Sequence, residues 1–139
     1  MLELICTLRA SQLFLHQAHL LVKCSLFVQD HEFLGSLYGE LESDFDAVSE
    51  RLIGLGGEEQ LNLQAVMAKV NEKLKAAPST SAKENEDYYN YQLQIEKSIC
   101  SQVEELCKKP ELSQGTKQLL GDVANRSEIR QYKIGRRVK

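Results

Sequence analysis

Residues 31–57 read HEFLGSLYGELESDFDAVSERLIGLGG, and this stretch decides the fold. Within it Phe33, Leu34, Leu37, Tyr38, Leu41, Phe45, Val48, Leu52 and Ile53 recur three and four apart, the period of a helix that buries one face. Gln29-Asp30 opens the segment with Asp30 as the expected N-cap, and Gly54-Leu55-Gly56-Gly57 closes it. The expected helix has about seven turns and a length of roughly 37 Å. Upstream, residues 3–25 place Leu4, Leu8, Phe14, Leu15, Ala18, Leu21 and Val22 widely round a helix, as for one covered on several sides. Downstream come a shorter amphipathic piece at Leu61 to Leu74 and a linker at Ala76-Ala77-Pro78-Ser79-Thr80-Ser81. A third long helix is expected from Glu84 to Lys108, stopped by Lys109-Pro110, and a fourth from Ser113 into the basic end KIGRRVK. Four long helices with one long connection give an all-α protein, an antiparallel four-helix bundle whose crossover between helices 2 and 3 carries a short helix. Residues 1–139 are expected to form a single domain.

Composition narrows the function classes. With 42% hydrophobic and 27% charged residues the chain is that of an ordinary globular protein. Seventeen Lys plus Arg against twenty Asp plus Glu give a net charge of -3, which excludes a nucleic-acid binder acting through bulk positive charge. Cys6, Cys24, Cys100 and Cys107 lack zinc-site spacing and are expected to be reduced thiols serving as small buried hydrophobes. The opening MLELICTLRASQLFLHQAHLLV is interrupted by Glu3, Arg9, Gln12, His16, Gln17 and His19, so it is expected to be a buried helix rather than a signal or membrane segment. A cytoplasmic location follows from that expectation, with no flexible basic arm ahead of the first helix.

His16 and His19 share the first helix within about 60° of one another, and His31 starts the second. Taken singly, such histidines are most often structural. Asp46 and Glu50 form an i, i+4 carboxylate pair beside Arg51, for which a solvated face or a network with the arginine is the plain account. No Glu-x-x-His motif occurs, so the iron site that ferritins build inside one bundle is not encoded. His31 and Asp46 stand roughly 22 Å apart along one helix and cannot hold the same ion. Two copies of that helix, packed antiparallel about a two-fold axis, would set the His31 end of one beside the Asp46/Glu50 end of the other. Imidazole and carboxylate together suit iron(II) or zinc.

The order His19, His31, Tyr38, Asp46-x-x-x-Glu50-Arg51 and Gly54-Leu55-Gly56-Gly57 resembles the Dps family, the miniferritins that protect DNA in starved bacterial cells. Similarity is strongest over residues 9–57, and the last helix, SQGTKQLLGDVANRSEIRQYKIG, is similar in character. Residues 58–112 match in helical layout alone. The resemblance implies a ferritin-like fold and a hollow homo-oligomeric shell, a dodecamer built from two-fold dimers. It further implies that Fe(II) is bound at the dimer interfaces, oxidised preferentially by hydrogen peroxide, and stored as ferric mineral. Carried over residue by residue, it implies metal ligands His19 and His31 from one chain and Asp46 and Glu50 from its partner, with zinc as an alternative to iron. His16 would sit outside that set or serve a second metal.

Two positions depart from the family pattern. The usual Asp four residues after the second histidine is Gly35, and the Trp that commonly follows the first is Leu20. One carboxylate fewer should weaken a metal position, and Glu32 or Glu42 are the nearby acids that could replace it. DNA binding would rest on Arg130, Lys133, Arg136, Arg137 and Lys139, repeated over a shell, though cations at a helix C-terminus also oppose the helix dipole. Tyr88, Tyr89 and Tyr91 are either a redox relay or packing residues, packing being the simpler account. Against the ferroxidase reading stand a Dps-derived structural shell whose iron chemistry has weakened and a smaller helical adaptor with structural histidines.

Overall fold

Apolar periodicity without internal breakers makes helices, and a computed structural model places five α-helices and no strand among its described residues, 1–78 and 82–138. They are α1 (Leu2–Leu21), α2 (Phe27–Gly54), α3 (Leu63–Lys73), α4 (Asn85–Cys107) and α5 (Gln114–Arg137), with 3-10 turns at Cys24–Leu26 and Glu58–Leu61. Positions 79–81 of the expected linker and Lys139 of the basic end lie outside the described residues.

The long helices α1, α2, α4 and α5 pack side by side. Contacts fix their directions: His19 meets His31 while Arg9 lies over Phe45, so α1 and α2 are antiparallel. Thr7 bonds Gln102 while Phe14 meets Tyr88, giving the same sense for α1 and α4, and Arg51–Thr116 with Arg137–Asp30 does so for α2 and α5. Their common core holds Leu4, Leu8, Leu15, Leu34, Leu41, Val48, Ile99, Leu120 and Ile134, all essentially inaccessible. Separately, α3 lays Val66 and Val70 on Cys6 and Ala10 of α1. No described helix is long and apolar enough to cross a membrane.

Glycine chemistry ends α2 as expected. Gly56 takes φ +83, and the amide of Gly57 folds back to donate to the Leu52 carbonyl at 2.9 Å, where any Cβ on Gly57 would run into the Leu52 side chain. The start of α2 differs from expectation. Asp30 is not the N-cap: the helix begins at Phe27, directly after the 3-10 turn, and Asp30 is 1% exposed in its first full turn. There it accepts two bonds from Arg137 at 2.8 Å each, one from the Tyr89 hydroxyl at 2.7 Å and one from Asn85 at 2.8 Å. A carboxylate that can bind a guanidinium across the helices gains more than one capping its own helix. Likewise Cys24 is exposed, with φ +70, whereas Cys6 is the buried thiol expected.

Burial by itself would raise the Asp30 pKa, but the bonds from Arg137, Tyr89 and Asn85 outweigh it and hold the group below its ordinary 3.8. A lowered folded value means that the clamp contributes fully above the ordinary pKa and is lost as pH falls through the folded one. The wild type should therefore lose stability on acidification below about pH 4, and Asp30→Asn, already weakened at neutral pH, should show a flatter acid limb in urea denaturation.

A second polar group crosses the middle of the core. Ser11 of α1, Asp44 of α2, Gln92 and Glu96 of α4, and Ser127 and Arg130 of α5 are all inaccessible to solvent or within 1% of it. The Arg130 Nε donates to Glu96 at 2.9 Å and its Nη1 to Asp44 at 3.1 Å, while Arg126 reaches the other Asp44 oxygen at 2.7 Å. Burial opposes the charge on Arg130, yet Glu96, Asp44 and Glu40 hold its pKa above the ordinary value. Arg130 was expected in the basic end available to DNA; it is a core residue instead, because three acids on facing helices draw it inward.

Candidate metal centre

The histidines come together where α1 runs into α2. Two residues short of its end, α1 presents His19, and the short turn through Cys24–Leu26 returns the chain so that His31 faces it. The two rings stack with centroids 3.7 Å apart and planes 22° apart. Each is tied to the backbone of the other: the His19 Nδ1 lies 2.6 Å from the His31 carbonyl, and the His31 Nδ1 lies 2.8 Å from the His19 carbonyl. A carbonyl only accepts, so both Nδ1 atoms are assigned the ring proton. In the neutral imidazole the lone pair is then on Nε2, and no hydrogen bond occupies either Nε2 among the described residues. Metal-binding histidines are held in this way, one nitrogen donating to a fixed acceptor and the other free.

Aromatic neighbours fix the ring planes. Phe27 stacks on His31 at 5.1 Å, and Tyr38 lies edge-on to His19 at 5.4 Å while stacking at 4.4 Å on the exposed His16. The His16 and His19 rings are 6.3 Å apart. Phe27 escapes a sequence reading that starts the helix at Asp30, and within the apolar run Leu26-Phe27-Val28 nothing singles it out.

Gly35 has a local reason. A Cβ built there would lie 3.2 Å from both Cε1 and Nδ1 of His19, closer than ordinary contact. The missing side chain lets the His19 ring press against the α2 backbone and reach the His31 carbonyl. Gly35→Ala should therefore displace the ring with little loss of helicity, and any Zn(II) affinity of the histidine pair should fall several-fold in calorimetric titration. An unchanged affinity would show that the ring seat does not depend on Gly35.

Asp46 and Glu50 lie further along α2 and are both exposed. At 3.6 residues per turn Asp46 stands about 60° and Glu50 about 100° round the helix from His31, so the three share one side. Neither carboxylate has an ion pair or hydrogen bond among the described residues, and Arg51 turns away to donate to Thr116 at 3.0 Å. A network with Arg51 is thus not formed. Within one chain no group of three or more His, Cys, Asp or Glu side chains converges as a metal site among the described residues. The structure brings His19 to His31 and leaves Asp46 and Glu50 apart from them. In the bundle interior, where a single-chain carboxylate site would be built, the Arg130 guanidinium stands between Glu96 and Asp44.

Of the cations expected to contact DNA, Arg137 is clamped on Asp30 and Arg130 is buried, which leaves Lys133 and Arg136 exposed among the described residues. Tyr89 and Tyr91 are tied into packing, Tyr91 donating to the Lys73 carbonyl at 2.8 Å. Comparison of the sequence with protein-family models and with curated proteins finds no match in either.

Proposed function

We propose that the protein is a miniferritin of the Dps kind: a ferritin-like antiparallel four-helix bundle, with α3 on its crossover, that oxidises and sequesters Fe(II) at sites shared between two subunits. The observation that carries this reading is the reciprocal pair of His19 and His31, whose Nδ1 atoms are both anchored and whose Nε2 atoms are both open. The partner subunit would complete the site with Asp46 and Glu50. Hard carboxylates favour the Fe(III) product, while imidazoles hold Fe(II), which here is substrate rather than resident cofactor. Peroxide would take one electron from each of a pair of Fe(II) ions, its O–O bond cleaving to give hydroxide and no radical. Zn(II) is expected to compete for the same ligands.

Surface chemistry on α2 supports the two-fold pairing. An antiparallel register that sets His31 beside Glu50 of the partner also sets Phe27 and Val28 beside Ile53 to Leu55. Val28 is 59% and Leu55 53% exposed, large apolar side chains at both ends of one helix. A dodecameric shell with a cytoplasmic role and a weak DNA contact through Lys133 and Arg136 completes the proposal. Native mass spectrometry should give a dodecamer, whereas a monomer would rule out both cage readings and leave the helical adaptor.

Gly35 favours one second reading, a Dps-derived structural shell with weakened iron chemistry, since that position supplies no carboxylate. The deciding measurement is the rate of anaerobic Fe(II) oxidation by hydrogen peroxide. A rate well above buffer supports the ferroxidase, and a rate equal to buffer together with an intact shell supports the structural protein.

A further inference from the structure

The polar layer across the core contains a donor and an acceptor that the protein itself does not satisfy. Every one of its members is buried, so an unpaired polar atom there has no bulk water to turn to. Around Glu96 the bonding is nearly complete: Oε2 accepts from Ser127 at 2.6 Å, and Oε1 accepts both from the Gln92 Nε2 at 2.7 Å and from the Arg130 Nε at 2.9 Å. The Gln92 Nε2 gives its other proton to the Ser11 Oγ at 2.6 Å. Because a carboxylate can only accept, the orientation of the Gln92 amide is fixed, and its Oε1 is left without a partner. The Arg130 Nη2 is left in the same condition.

These two atoms belong to groups bonded to one and the same oxygen, Glu96 Oε1, and they are of opposite sense. Nη2 has protons to donate, and the amide oxygen has lone pairs to fill. We propose that Gln92 Oε1 and Arg130 Nη2 form a built site for one internal water, which accepts from the guanidinium and donates to the amide. Ser11, whose Oγ accepts from Gln92, brings a hydroxyl proton to the same layer as a third polar group. Internal waters are held by two to four such groups.

The chemistry of the layer rejects the other small occupants. A metal ion or ammonium would meet the guanidinium, which already stands among Glu96, Asp44 and Glu40. An anion would accept from Nη2 but would face Glu96, Asp44 and the lone pairs of Gln92 Oε1, to which it has nothing to donate. Only a neutral molecule with both a donor and an acceptor matches the two orphaned atoms, and in a close-packed interior the smallest such molecule is water. The inference is independent of the iron reading, since the layer shares no residue with the histidine pair.

A high-resolution crystal structure of the full wild-type chain tests it, with anomalous data collected after soaks in bromide and in Mn(II). The expected result is a spherical peak without anomalous signal, at hydrogen-bond distance from both Gln92 Oε1 and Arg130 Nη2. Three results would overturn the proposal: anomalous scattering at that point, protein partners on both atoms, or no ordered peak beside them. In solution, water-oxygen relaxation dispersion should count one fewer long-lived water per chain in Gln92→Met than in wild type. If that variant does not fold, the wild-type crystal still decides.

Discussion

His31→Ala and Glu50→Ala should each abolish peroxide-driven Fe(II) oxidation, and an equal mixture of the two, co-refolded, should recover about a quarter of the wild-type rate. The recovery follows from a shared site. In a mixed dimer the chain that keeps its histidines meets the chain that keeps its carboxylates, which restores one site and leaves the other doubly broken. Random pairing makes about half of the dimers mixed, each with one site of two. On the proposed assignment each single substitution would remove a direct ligand, so its loss should be at least the 10–100-fold typical of removing a supporting group, at roughly 1.4–2.7 kcal/mol or more. Stopped-flow absorbance of ferric product under anaerobic conditions measures it. A site confined to one chain would give no recovery on mixing, because neither variant would own a complete ligand set. Loss in both variants without recovery would therefore remove the inter-subunit assignment while keeping the four residues.

The largest stability effect is expected at Arg130. Its side chain is fully buried and pairs with Glu96 and Asp44, each 1% exposed or less. Arg130→Ala strands two carboxylates in the core and opens a cavity, so a loss of about 3–5 kcal/mol is expected. Folded domains of this size have roughly 5–15 kcal/mol in total, so the variant should sit close to the edge of folding. Urea midpoints at matched protein concentration would show it, since any self-association would also contribute to apparent stability. Lys133→Ala, one turn on and half-exposed, loses only a loose 3.9 Å contact with Glu40 and should stay within about 0.5 kcal/mol of wild type. Equal losses in the two variants would show that the buried layer carries no special weight.

The helices were legible because each one repeats its own signal. The long apolar period of α2, the glycines after it and Pro110 after α4 are all local, and the observed ends fall within a few residues of those expected. Asp30 misled because a cap and a cross-helix clamp use the same residue type at nearly the same position, and only the approach of Arg137, 107 residues away, distinguishes them. The polar layer was not legible at all. Asp44, Gln92, Glu96 and Arg130 each look like a solvated position on its own helix, and the pairing of Arg130 with Glu96 and Asp44 spans 34 and 86 residues of sequence. For the site, only the resemblance to the Dps pattern put His19 and His31 in one set, and the crossed bonds from each ring to the other's carbonyl and the seat supplied by Gly35 appear only once α1 folds back on α2.

The crossed histidine bonds join residues only twelve apart, across a single tight reversal of the chain. Such local contacts form early, so each newly made chain would already carry its imidazole half in finished form. The carboxylate half cannot reach it within that chain, whatever the fold does later. Iron chemistry built in the proposed way would be bimolecular in protein: a dilute or newly synthesised chain would be inert, and turnover per chain would rise with concentration until the pairs had formed. The protein would then meet peroxide with active sites only after enough of it had accumulated to house the mineral that those sites produce.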